Sequence, residues 1–248
     1  MLTTVQSAGS SEVDGGLLPV GPPSRNGSTQ FAVTPDLAGS MDTKEIANAM
    51  THAVGLLLSI VAAVVLMHVA AACDFWQRCA VLIYAVTMVA VYAASTASHV
   101  FPQPRLRHFF RMLDQGWIYL FIAGTFTPIS AAFLRGGSWW VLLGAIWIVA
   151  LAGFISKVAL NHRINNVSTI IPLLLGWMPL LGGRPMLHLV PTEVLWWMLA
   201  GGVCYSVGTL FLMYDHRHPY LHAVWHVFVM AGTACHFWAI LHYAMPVV

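Results

Sequence analysis

Charge is what this chain has least of. Asp, Glu, Lys and Arg make up 8% of its 248 residues, where a soluble domain carries about 25%. Beside a hydrophobic share of 58%, that scarcity excludes a water-soluble globule. A chain of this size cannot hide so much apolar surface, so its solvent is lipid. The net charge of +2 comes without a basic tail, which leaves nucleic acid an improbable partner. Cysteine is sparse as well. Cys73, Cys79, Cys204 and Cys235 are scattered and form no C-x2-C pair, so no disulfide framework is expected. Cys204 and Cys235 sit in apolar runs and read as small packing residues. Residues 1–40 are rich in Ser, Gly, Pro and Thr and lack the basic start and apolar centre of a signal peptide. Residues 1–41 are therefore expected to be a disordered N-terminal segment, dispensable to the membrane domain at 42–248. Asp42, with Glu45 three residues on, is a candidate helix cap.

What the chain has in abundance is long apolar runs. A helix needs about 20 residues to cross a bilayer. Seven stretches qualify, at about 46–71, 78–99, 110–134, 138–157, 164–182, 194–214 and 220–244. Short connections carry the breakers Pro102, Pro104, Gly136-Gly137, Gly182-Gly183, Pro185 and Pro219. The fold class is thus all-α, a seven-transmembrane helix bundle. No internal repeat is visible, and an odd number of spans makes an inverted-repeat transporter less natural.

Lys and Arg set the orientation. With the N-terminus inside, the cytoplasmic set is Arg25, Lys44, Arg105, Arg107, Arg111, Lys157, Arg163 and Arg217, and the outer set is Arg78, Arg135 and Arg184. Eight against three predicts a cytoplasmic N-terminus and an outside C-terminus. Trp76, Trp139, Trp140, Trp196 and Trp197 then fall near outer helix ends, as an aromatic belt would.

That topology, derived from charge alone, gathers polar groups into one layer. His99 closes the second span, Asp114 sits about one turn inside the third, and His222-x3-His226 opens the seventh. Glu45, Asn48 and His52 share a face at the start of the first. An ionisable group in lipid costs several kcal/mol, roughly 2.5–3.5 on insertion scales, and marks a functional site by default. His222 and His226 are one turn apart and offer two imidazoles to one metal. His99 would be the third ligand, leaving a fourth tetrahedral position for water, whose pKa zinc can lower to about 7. Asp114 could act on that water or orient a ligand ring. Ser95, one turn before His99, could hydrogen-bond the water or a substrate carbonyl. The competing account treats such histidines as interhelical hydrogen-bonding groups. It is preferred for His68, His188 and His242 near span ends and for the deeper His236. His108, His162, His216 and His218 read as solvated loop residues.

Taken as a set, Glu45-x2-Asn48-x3-His52, Ser95-x3-His99, Asp114 and His222-x3-His226, with the run HAVWHVFVMAGTACHF at 222–237, resemble the hemolysin III family. That family is the bacterial branch of the progestin and adipoQ receptor group, itself related to alkaline ceramidases. The resemblance covers residues 42–245. It implies a seven-helix protein of the bacterial inner (plasma) membrane. It also implies zinc on His99, His222 and His226, with Ser95 and Asp114 beside it. Ser98 stands where the family usually has an aromatic residue. Membrane lipids are the expected partners.

Three functions follow as expectations. The first is a zinc-dependent hydrolase acting on a lipid amide or ester, with Asp114 and Ser95 as catalytic residues. The second is a non-enzymatic membrane regulator or sensor in which zinc is structural, its shell closed by Asp114. The third, ranked lowest, is a cytolysin or pore: the polar groups crowd at one face and outline a blind cavity.

Overall fold

The computed structural model describes residues 43–136, 139–159 and 166–245. The expected disordered segment 1–41 and the Asp42 cap lie outside these residues. Among the described residues eight α-helices follow one another: α1 (Thr43–Ala70), α2 (Phe75–Val100), α3 (Pro104–Phe133), α4 (Trp139–Val158), α5 (Asn166–Trp177), α6 (Gly183–Leu189), α7 (Thr192–Met213) and α8 (Leu221–Tyr243). Two 3₁₀ turns, Met178–Gly182 and Asp215–Arg217, link α5 to α6 and α7 to α8. Among the described residues there is no strand.

Six of these helices, α1, α2, α3, α4, α7 and α8, are long and apolar enough to cross a membrane, and a shorter apolar stretch spans Thr169–Gly182. Together they occupy the seven expected stretches, but the fifth differs in form. Pro179 disfavours the α conformation in the residue before it, so α5 stops at Trp177 and the chain tightens into the 3₁₀ turn. Twelve α residues at 1.5 Å and five 3₁₀ residues at 2.0 Å reach about 28 Å, close to the hydrocarbon thickness of about 30 Å. α3 begins earlier than expected. Pro104 takes a first-turn position, where its missing N–H costs nothing. Asp114 is therefore nearly three turns into α3, about 15 Å from its start, and not one turn as the apolar run implied.

The exposed surface is that of a protein solvated by lipid. Leu57, Leu58, Val64, Ile148 and Leu181 all present more than half of their area, which water would not tolerate as a continuous coat. The central helices are α3 and α2, most of whose apolar stretches are buried. α1 packs on α2 and α8, α3 on α2 and α4, and α7 on α8 and α5. Two polar ties hold the end of the bundle where α2 starts. Gln77 donates to the carbonyls of Pro128 (3.2 Å) and Ala244 (2.8 Å), joining α2 to α3 and to the end of α8. Asp74 caps α2 by accepting from the Gln77 N–H and pairs with Arg135 at 2.6 Å. That guanidinium holds the Asp74 carboxyl below its usual range.

Candidate metal centre

α1, α3 and α8 start and α2 ends at one end of the bundle, so the start of α1, the end of α2, the first half of α3 and the start of α8 meet there. Of the polar residues expected to share a layer, Asn48, His52, His99, Asp114, His222 and His226 do come together around one cavity. His52, His99 and His226 are buried and His222 is half-buried. One ring nitrogen from each lies within 4.8 Å of those of the other three. The rings fan around a common point: His52 stacks on His99 at 5.1 Å, and His222 and His226 meet edge-on at 4.5 Å. The Nε2 atoms of His52 and His226 face each other at 2.5 Å.

Around these rings are the groups that orient them. Asp215 Oδ2 is 3.1 Å from His222 Nδ1, so this carboxylate accepts one ring N–H and leaves the other nitrogen turned to the cluster. That is the usual support for a metal-binding imidazole. Ser95 Oγ lies 3.2 Å from His52 Nε2, and the Ser95 hydroxyl also hydrogen-bonds the Asp114 carboxylate. His52 Nδ1 and Asn48 Oδ1, one turn apart on α1, are buried without partners. The donor set fits a borderline-soft divalent ion such as zinc, which favours imidazole nitrogen. Convergent lone pairs in an apolar surround, with a carboxylate behind one ring, are what such an ion needs. These four histidines can hold a metal ion.

All five expected residues, Ser95, His99, Asp114, His222 and His226, line a single cavity of about 1100 Å³. Its remaining walls are largely apolar, from Ile118 and Phe121 on α3 to Leu173 on α5 and Met198 on α7. Two participants escaped the ligand set read from sequence. His52 was legible as part of the Asn48-x3-His52 face, yet nothing in its spacing told a ligand from a neighbour. Asp215 carries no periodic signal at all. It reaches His222 only because the turn at 214–220 folds the chain back onto the start of α8.

Comparison with known proteins addresses the family directly. A family model described as "Haemolysin-III related" matches residues 41–237. The chain belongs to the haemolysin-III related family. Within it, the protein is 37% identical to "Hemolysin-3" of Bacillus cereus over 204 residues, 82% of this chain and 93% of that protein. It is 35% identical to the "Hemolysin-3 homolog" of Bacillus subtilis (strain 168) over 205 residues, 82% of this chain and 96% of that one. A human relative, "Monocyte to macrophage differentiation factor", is 30% identical over 202 residues, 79% of this chain and 83% of that one. No solved structure matches the chain. This haemolysin-III relative is a multi-pass membrane protein with a histidine cluster suited to a metal ion.

Proposed function

We propose that this protein is a zinc-dependent hydrolase that cleaves an amide or ester bond of a membrane lipid. The observation that carries the reading is the setting of the histidines: they face a large, mainly apolar chamber in company with Ser95 and Asp114. A metal held only for stability has no use for such a chamber. His99, His222 and His226 would hold the ion, with Asp215 bracing His222. When bound, zinc supplies Lewis acidity to a carbonyl and brings the pKa of water towards neutrality. The chain's own residues do the remainder. Asp114 accepts the proton of the attacking water and returns it to the leaving nitrogen or oxygen. Ser95 links Asp114 to His52 and fixes the carboxylate. The apolar walls take up the acyl chain and keep it from water.

His52 favours a second reading. Four imidazoles complete a tetrahedral shell and leave no open position, the mark of a structural site, as in a non-enzymatic membrane regulator or sensor. Metal content and lipid-amide or lipid-ester turnover, measured on detergent-purified protein, separate the two. The hydrolase reading expects about one zinc per chain, lost in His226→Ala, and retained in both Asp114→Ala and His52→Ala while turnover falls at least 100-fold in the first. Loss of zinc in His52→Ala would favour the closed shell. No metal in the wild type would sink both.

A further inference from the structure

Deeper in the same cavity is a second polar group that hydrolysis does not use. Tyr92 on α2, Tyr205 on α7 and His236 on α8 all line the cavity. Behind them, Thr233 Oγ1 is 2.9 Å from the Tyr92 hydroxyl and 3.0 Å from the Tyr205 hydroxyl. His236 stacks on Tyr205, and its Nδ1 is 2.8 Å from the Gly232 carbonyl. The seat is purpose-fitted. A Cβ at Gly201 would collide with the His236 ring, and one at Gly232 with the Tyr205 ring.

Counting protons tells what this group can bind. Thr233 has one hydroxyl proton, and it goes to the Val229 carbonyl at 2.9 Å. Both tyrosines must therefore donate to Thr233, filling its two lone pairs. The Gly232 carbonyl only accepts, so the His236 proton is on Nδ1 and the neutral ring turns a lone pair out from Nε2. Every donor in the group is spent. What remains are three acceptors, the two phenolic oxygens and His236 Nε2, in a largely apolar chamber.

We propose that this is a recognition station for a hydrogen-bond donor carried in mid-chain by the lipid that enters the cavity, and that the lipid is a hydroxylated acyl chain. His236 is ten residues beyond His226 on the same helix, about 15 Å further in. An extended hydrocarbon advances roughly 1.3 Å per bond at C–C lengths near 1.5 Å, which places the hydroxyl about twelve carbons from the head. The inference shares with the hydrolase reading the entry of a lipid whose head lies at the histidine cluster, and it needs no metal.

The test is binding to purified protein stripped of metal by chelator, so that failure of the zinc reading leaves it intact. 12-Hydroxyoctadecanoate is expected to bind about five- to tenfold more tightly than octadecanoate, the worth of one or two net hydrogen bonds. 3-Hydroxyoctadecanoate, whose hydroxyl stays near the head, should gain nothing. Tyr205→Phe and His236→Phe should each cut the preference for the mid-chain hydroxyl and leave octadecanoate affinity within about twofold. Equal binding of the three acids by the wild type would overturn the proposal. So would no binding of any of them, or a full preference retained in both variants.

Discussion

At the scale of single residues, the histidine cluster depends on groups outside the four rings. Asp215 is half-exposed, yet its contact with His222 Nδ1 decides which nitrogen of that ring faces inward. Replacing a carboxylate behind a metal-bound imidazole typically lowers metal affinity 10- to 100-fold. Asp215→Asn is accordingly expected to weaken zinc binding by that factor while leaving the melting temperature of the metal-free protein unchanged. A competition titration against a calibrated chelator measures it, and an unaltered affinity would remove Asp215 from the site. Ser95 is the other small residue with a large role, because its one hydroxyl lies between His52 and the Asp114 carboxylate.

At the scale of helices, the bundle is held differently at its two ends. The histidine end is polar but hollow, its groups lining a cavity. The opposite end is tied by Gln77, which is buried and reaches across to carbonyls on α3 and at the end of α8. Leucine at this position would fill the same space but leave the Ala244 carbonyl without that donor. An unsatisfied buried acceptor costs about 1–3 kcal/mol. Gln77→Leu is expected to lower thermal stability by that amount without changing zinc stoichiometry. A thermal melt in detergent, run beside a metal assay, would expose the error if zinc were lost instead. The helix scale also explains the broken fifth stretch. Pro172 lies inside α5 and Pro179 in the 3₁₀ turn that ends it, and a segment with prolines survives in a membrane only where its freed backbone groups are buried against protein or line a cavity. Several α5 residues line this one.

At the scale of the whole molecule, a metal bound at the junction of α1, α2 and α8 clamps the first two helices to the last. A ligand that binds only the folded state stabilises it by about 2.7 kcal/mol at 100 times its Kd. Chelation is therefore expected to lower the melting temperature by several degrees, and stoichiometric zinc should restore it. His226→Ala should melt at the chelated value with or without zinc. A melting temperature indifferent to both treatments would mean that the cluster holds no ion in solution.

The sequence by itself determined the solvent, the number of apolar stretches, the common layer of the polar residues and five of the positions that line the cavity, three of them histidines. These were legible because lipid imposes a simple rule. Apolar runs must be about as long as the bilayer is thick, and an ionisable residue within one must have a reason to be there. Only the tertiary structure decided that His52 joins His99, His222 and His226, that Asp215 braces His222, and that Tyr92, Tyr205 and His236 form a second station around Thr233. Each of these contacts joins different helices, or a helix to the turn before it. Which residues meet is set by the rotation of each helix about its axis. A soluble helix announces that rotation through an apolar stripe, whereas α7 and α8 have almost no such stripe, and only the His222-x3-His226 pair marks a face. Small residues such as Gly201 and Gly232, which let the rings of His236 and Tyr205 come close, settle the rotation through packing that no spacing in the chain reveals.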